Sequence, residues 1–435
     1  MKNQDIAIDD SSPVSMADAN VSRASIVKLT LAFVICFLGT LSSGIVTMLM
    51  SVYLPVTVKD LLGNVSEERL NDVSAWINCV FIFGWMFGGI IWGFVSDKIG
   101  RSLATAVSIA SFGLFAVLTG VSSSWLLICI CRFLSGFGIG GLMVSSTVLV
   151  AELWSARSRA IVLGIVNVAM PVGFFIAGAI NNATENWRTA FWIGGVPLLL
   201  GIAGYFVLPE SGKWKTNKPG ANAIIEKEIF SAGNRKNLLT GSIVFGAMLI
   251  GLWAVFSWAP TWVQSISTAA EAQEKRGSTI MILSMGGIAG SFVSGWIVNL
   301  LGVRKTMLMC FLGCFVLTLV VFKTNYHITT VTFGELAALA FFFGISQGAL
   351  SVYIPSLFPV NVCASATGFC FNVGRLFTGT VVFFIGALVS FLGGYGNAVV
   401  TFSFVFIIGM IATWMGSKSA TSDSQETIGI TQELN

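Results

Sequence analysis

The sequence predicts an all-α membrane protein: twelve transmembrane helices arranged as two pseudo-symmetric six-helix bundles. Three observations carry that prediction. Apolar runs of about 20 residues, each long enough to cross roughly 30 Å of hydrocarbon, recur from near Lys28 to near Gly416. A charged tight turn, Gly93-Phe94-Val95-Ser96-Asp97-Lys98-Ile99-Gly100-Arg101, returns in the second half in worn form as Gly295-Trp296-Ile297-Val298-Asn299-Leu300-Leu301-Gly302-Val303-Arg304-Lys305. Charged side chains make up 10% of the chain, against about 25% in ordinary soluble domains.

The twelve predicted spans cover 28–53, 73–95, 102–121, 125–149, 160–181, 189–208, 238–260, 279–299, 303–322, 332–354, 366–390 and 397–416. They divide the chain into a polar N-terminal tail (1–27), a first bundle (28–209), a connecting linker (210–237), a second bundle (238–416) and a polar C-terminal tail (417–435). The two tails have the composition of disordered segments. The N-terminal tail lacks an apolar signal-peptide core, so the first span itself is expected to anchor the chain. With both termini on one face, that face collects sixteen Lys and Arg, among them Lys98, Arg101, Arg157, Arg159, Arg235, Lys236, Arg304 and Lys305. The opposite face has six: Lys59, Arg69, Arg188, Lys275, Arg276 and Lys323. The positive-inside rule therefore predicts cytoplasmic termini in an inner or plasma membrane, and the net charge of +4 calls for no nucleic-acid partner.

Taken in order, the spans carry few polar groups. The first offers Thr40, Ser42 and Ser43, the second Asn78, and the fourth Arg132 followed by the small-residue run Ser135-Gly136-Phe137-Gly138-Ile139-Gly140-Gly141, which lets helix backbones approach closely. The fifth holds Asn167 with Pro171 and Gly173, a predicted kink. Trp253, Trp258 and Pro260 mark the end of the seventh, where interfacial anchoring and ligand stacking explain the tryptophans equally well. The tenth contributes Glu335 and Gln347, and the eleventh Asn372 and Arg375.

Several function classes fall away. The linker holds no His, Cys or phosphate-binding glycine loop, so no enzymatic or ATP-driven reading is supported and transport energy must come from gradients. Eight cysteines lie in spans or on the basic face, which argues against a disulfide framework. The one histidine, His327, makes a metal site or an imidazole proton relay improbable, and no cofactor is expected.

Arg132 and Arg375 are the informative charges. A charge at the centre of a span costs about 2.5 to 3.5 kcal/mol on insertion scales, so such residues face a cavity or a partner. One arginine belongs to each half, as a clamp at the bundle interface requires. Few carboxylates lie deep enough to neutralise them; Glu335, about one turn into the tenth span, is the nearest candidate and the candidate proton-coupling group. Two arginines without matched acids point to an anionic substrate, since a guanidinium holds a carboxylate through two parallel hydrogen bonds. Asn78, Asn167, Gln347, Asn372 and Trp253 complete the candidate substrate site. A structural role remains open for each: Arg132 bonded to backbone carbonyls, Arg375 snorkelling to the surface, the amides joining helices.

These residues resemble the major facilitator superfamily, and the likeness runs from about residue 28 to 416. The first turn matches the family's Gly-x-x-x-Asp-Lys/Arg-x-Gly-Arg pattern; Arg132 with the glycines behind it matches the fourth-span motif; Glu152 and Arg159 match its Glu-to-Arg pair; Pro209-Glu210-Ser211-Gly212-Lys213-Trp214 resembles its Pro-Glu-Ser-x-x-Trp. The resemblance implies that Asp97 and Arg101 latch the basic face to the start of the eleventh helix near Ser365, with Gly93, Gly100, Glu152, Arg159 and Arg304 in the same gate. The second half departs from the pattern: Asn299 and Val303 replace charges, and Ser356 and Cys363 stand beside Phe358-Pro359 where Glu and Arg are usual. An asymmetric gate is therefore expected. The overall look is closest to metabolite symporters of the sugar-porter and nicotinate-porter neighbourhood.

The resulting expectation is a secondary transporter of a small organic anion, moved by alternating access with a coupling proton, acting as a monomer in the bilayer. A neutral sugar or polyol carrier, an efflux antiporter and a non-transporting membrane sensor are the alternatives.

Overall fold

The computed structural model describes residues 16–154, 156–211, 230–359 and 362–416, and their side chains except at 16–25, 156–161, 232–233, 363–365 and 386. Residues 1–15, the predicted C-terminal tail and most of the predicted linker lie outside the described residues; residues 16–27, expected to belong to a disordered tail, are instead helical and continue the first span as one helix, Met16–Leu62. Among those described, twelve helices are long and apolar enough to cross a membrane: α1 (Ile26–Leu62), α2 (Glu67–Ile99), α3 (Arg101–Val121), α4 (Trp125–Leu153), α5 (Val162–Ala183), α6 (Trp187–Val207), α7 (Asn234–Ser265), α8 (Ala272–Leu301), α9 (Val303–Thr324), α10 (Thr330–Ser356), α11 (Ala366–Ile385) and α12 (Tyr395–Met415).

The count matches the sequence expectation, and the differences lie at the ends. The first and seventh helices run on through Pro55 and Pro260, past the ends of the spans predicted at 28–53 and 238–260. Proline removes one backbone donor, and a helix packed on all sides tolerates that loss better than an isolated one. Pro171 likewise lies inside a continuous helix.

The repeated turn is built the same way twice. Gly100 (φ 104°) and Gly302 (φ 80°) each end one helix and begin the next. Gly100 N donates to Ser96 O and Gly302 N to Val298 O, while their carbonyls accept from Ala104 N and Thr306 N. A positive φ costs a side chain of the L series about 1 kcal/mol or more, which explains why glycine holds both positions. At the opposite end, helices are started by side-chain caps: Ser66 on α2, Ser124 on α4, Asn186 on the start of α6 and Thr329 on α10. The turn-bearing end is called the basic end below, and the other the far end.

Packing repeats as well. The pairs α2–α4, α1–α5, α3–α4 and α3–α6 of the first bundle correspond to α8–α10, α7–α11, α9–α10 and α9–α12 of the second. Glycine allows the closest approaches in both: a β-carbon at Gly88 would lie 2.1 Å from Phe137 O, and one at Gly290 would lie 2.0 Å from Phe341 O. The sixth helix of each half is also interrupted, by a 3₁₀ turn over Trp192–Gly194 and at Phe404.

The bundles meet along α2–α11, α5–α8 and α1–α7. Four side-chain hydrogen bonds between described residues join the halves toward the far end. Tyr395 OH donates to Asn71 Oδ1, Asn71 Nδ2 to Ser390 Oγ, Gln273 Nε2 to Asn181 O and Asn182 Nδ2 to Met281 Sδ. The far end is therefore closed.

Candidate functional site

Phe81 and Trp85 stand one turn apart on α2, with ring centroids 6.1 Å apart. Three other helices converge on this short aromatic stripe. The Arg132 guanidinium of α4 lies 3.9 Å from the Phe81 ring centre, and that of Arg375, on α11, lies 5.8 Å from the Trp85 ring centre. Trp253 of α7 meets Trp85 edge-on at 5.6 Å. One arginine from each half thus contacts the same two-ring ladder, through the attraction of a cation for an aromatic face. Arg132 lies seven residues into α4, about 10 Å below its far end at 1.5 Å per residue. Arg375 lies about 14 Å in from the first residue of α11 by the same measure.

The two arginines differ in how they are held. Arg132 is 1% exposed and donates to Val46 O at 3.0 Å and Thr47 O at 3.4 Å, which pins α4 to α1; its Nε has no partner. Arg375 is half-buried and forms no hydrogen bond or ion pair with any described residue. Neither has a carboxylate partner among the described residues. One turn from Phe81, Arg132 and Arg375 on their own helices, Asn78 Nδ2, Ser135 Oγ and Asn372 Oδ1 are buried without a partner, as are Gln347 Nε2 on α10 and Thr40 Oγ1 on α1. Asn372 Nδ2 donates to Gly368 O, while its Oδ1 faces Gly89 of α2, where a β-carbon would stand 3.5 Å away.

Trp253 and Trp258 are not interfacial anchors. Trp253 is buried against Trp85, and Trp258 is 0% exposed and stacked on Tyr395. Interfacial tryptophans keep one edge in the headgroup zone, which these two cannot reach. Asn167 is exposed, with no hydrogen bond to the groups above. Glu335 Oε2 accepts from Asn325 Nδ2 at 2.6 Å, and Asn325 Oδ1 accepts from Thr332 Oγ1. That carboxylate belongs to the network that shapes the α9–α10 connection.

At the basic end Arg101 lies between two acids, bonded to Asp97 and 3.6 Å from Glu152. Gly93 is half-buried one turn before Asp97. The side chains of Arg159 and Ser365 lie outside the described residues. Sequence reasoning assigned no contact to Glu210, whose carboxylate accepts from Arg101 N at 3.0 Å and Ser102 N at 3.3 Å. It satisfies donors at the start of α3 and complements the positive end of that helix. Arg304 does the converse in the second half, donating to Thr413 O and Trp414 O at the end of α12. Both halves thus tie the repeated turn to the end of their sixth helix, once with an acid on a helix N-terminus and once with a base on a C-terminus.

The missed members of the mid-depth cluster, Phe81, Trp85 and Gly89, had a weak signal in the sequence. Asn78, Phe81, Trp85 and Gly89 recur at helical spacing along one face of α2, which any membrane helix also shows.

Residues 36–378 match the family model described as the Major Facilitator Superfamily. The chain is 27% identical over 377 residues to the cis,cis-muconate transport protein of Acinetobacter baylyi, covering 83% of this chain and 87% of that relative. It is 25% identical over 450 residues to the 4-hydroxybenzoate transporter PcaK of the same species, covering 94% of each. Among solved structures, the inward open conformation of the xylose transporter XylE from E. coli is similar with a TM-score of 0.74 and 16% identity, covering 90% of this chain and 97% of that one. Helix count, a turn used twice and a family match across both bundles leave one assignment: this chain belongs to the Major Facilitator Superfamily, a membrane transporter and not an enzyme.

Proposed function

We propose that this protein carries a small organic anion, a carboxylate on a planar unsaturated or aromatic skeleton, by alternating access. The observation that carries the reading is the pair of arginines from opposite halves on one aromatic ladder, with no acid beside either among the described residues. A guanidinium in a water-poor cavity binds a carboxylate strongly and with fixed orientation. Arg375, whose donors are uncommitted, takes the carboxylate. Arg132 supplies a second positive charge while holding Phe81 in place. The faces of Trp85 and Trp253 flank a flat skeleton, and Asn372, Asn78 and Gln347 donate to or accept from its substituents. The muconate and 4-hydroxybenzoate named for the two relatives are flat carboxylates of this kind.

A ligand that touches both halves draws them together, and its release lets them part. The Asp97–Arg101–Glu152 cluster, with Gly93, Gly100, Arg159 and Arg304, forms the gate at the basic end. The termini and basic face are cytoplasmic in an inner or plasma membrane, the direction is uptake, and the monomer is the working unit. A proton is the coupling ion, with Glu335 the carboxylate to test first.

The experiment is a thermal-unfolding screen of the detergent-purified protein against matched pairs: 4-hydroxybenzoate beside 4-hydroxybenzamide, and cis,cis-muconate beside its diamide. A ligand that binds only the folded state raises the midpoint by an amount set by its concentration over its affinity. Stabilisation by the acids alone supports the reading. Stabilisation by xylose or another neutral polyol, with none by acids, overturns it.

A further inference from the structure

A third arginine is buried between the bundles, away from the site just described. Arg276, near the start of α8, is 4% exposed. It donates to Gln264 Oε1 on α7, and its Nε has no partner. No carboxylate among the described residues pairs with it. The nearest acid in sequence, Glu271, is engaged by Lys275 at 2.9 Å and by Thr268 Oγ1 at 3.0 Å. Those contacts hold the Glu271 carboxyl below its ordinary range. Glu274 is exposed.

The first bundle contributes the facing groups. Asn181 of α5 is fully buried, and its side-chain amide lies beside the Tyr53 hydroxyl with no hydrogen bond to the second bundle. Tyr53 of α1 lies within electrostatic range of Arg276, with its hydroxyl donated to Thr184 O at 2.6 Å. Thr57, one turn from Tyr53 on α1, and Thr261, three residues before Gln264 on α7 of the second bundle, are two more buried hydroxyls without partners. The seam here is tight: a β-carbon at Gly178 would lie 2.5 Å from Gly277 O, immediately beside Arg276.

A buried arginine without an acid carries a large desolvation penalty, and a neutral side chain would bond Gln264 equally well. The Asn181 amide, buried opposite it with no hydrogen bond across the seam, adds to that cost. All three groups lie on the α1, α5 and α8 elements at the seam, which an opening of α5 from α8 would uncover.

We infer that Arg276, Asn181 and Tyr53 form an entrance subsite for a carboxylate anion. The subsite binds the anion while the far end is open. On closure, the Gln264 carbonyl oxygen takes the place of the carboxylate on Arg276. That exchange keeps the arginine bonded in both states and releases the anion inward, toward the Arg375 site. The inference rests on the anion reading above and adds a second site to it.

The test is initial-rate uptake of labelled 4-hydroxybenzoate and cis,cis-muconate into proteoliposomes, from the far face and from the basic face. The variants are Arg276→Gln, Arg276→Lys and Gln264→Ala, each checked by thermal unfolding. Removing a charge-assisted pair should raise KM for the acid from the far face about tenfold or more in Arg276→Gln. KM from the basic face should stay within twofold. Arg276→Lys, which keeps the charge and loses the fork, should fall between, and Gln264→Ala should leave the far-face KM unchanged or lower it. A far-face KM within twofold of wild type in both arginine variants would overturn the inference. So would equal losses of kcat and midpoint in Arg276→Gln and Gln264→Ala with KM unchanged, the behaviour of a simple strut. A wild-type protein that neither binds nor moves either acid removes the anion reading itself, and is thereby told apart from failure of the subsite alone.

Discussion

Gly178→Ala should open the far end. In the closed arrangement the added methyl would stand 2.5 Å from Gly277 O and 2.7 Å from Met281 Cγ. The methionine can swing aside, but the carbonyl belongs to the α8 backbone and moves only with the helix. Carbon atoms pack at about 3.5 Å or more from their neighbours, so α8 must retreat by several tenths of an ångström or more. Overpacking of this kind costs about 1 to 3 kcal/mol. The cost is confined to the state in which α5 and α8 touch, so the ratio of closed to open shifts by about 5- to 150-fold. Gly164→Ala is the matched control: it lies in the same helix, and nothing stands within 4 Å of its added β-carbon. Both substitutions bring the same gain in helix propensity, about 0.5 to 1 kcal/mol, which cancels in the comparison. Spin labels at exposed Glu185 and Glu274, at the far ends of α5 and α8, report the separation by dipolar coupling. Gly178→Ala should lengthen the distance distribution and slow uptake, while Gly164→Ala should do neither. Identical distributions in the two variants would show that the α5–α8 seam does not set the far-end equilibrium.

Arg375→Ala should abolish stabilisation by the acids while the protein stays folded, and Arg375→Lys should restore part of it; retained affinity in the alanine variant would remove Arg375 from the site. Glu210→Ala leaves the Arg101 and Ser102 amides at the start of α3 without their acceptor, a loss of about 0.5 to 2 kcal/mol that should appear as a lower unfolding midpoint and be partly recovered in Glu210→Gln. An unchanged midpoint would show that water caps the helix as well. Asp97→Asn weakens the Arg101 cluster and should slow counterflow far more than it weakens binding, since a gate acts on the conformational equilibrium. Equal losses in both would count against the gate.

What could be read without coordinates was whatever the bilayer or the local backbone dictates. A helix that crosses hydrocarbon must be apolar over its whole length, so twelve spans stand out in composition alone. Gly100 and Gly302 mark turns because the positive φ required there belongs to the residue and its immediate neighbours. The two mid-depth arginines were conspicuous for the same reason, as charges where charge is expensive. Side-chain partners were less legible. Trp253 and Trp258 sit where an interfacial belt would be, and only their contacts with Trp85 and Tyr395 show them to be buried. Arg276 is one of six far-face charges by sequence, and only its burial against Gln264 of α7 and beside α5 distinguishes it from the other five.

Sequence by itself determined the class of solvent, the number of crossings, the duplication and the turn that joins its parts. These depend on runs of like residues and on local backbone conformation, and both are properties of contiguous chain. The tertiary structure decided which charges meet: Arg132 and Arg375 through Phe81 and Trp85, Glu210 on the start of α3, Arg304 on the end of α12, and Arg276 against Gln264. Most of those contacts join residues on helices far apart in the chain. In a membrane all helices present similar apolar faces, so the hydrophobic pattern that places each helix in the bilayer does not say which neighbour it packs against.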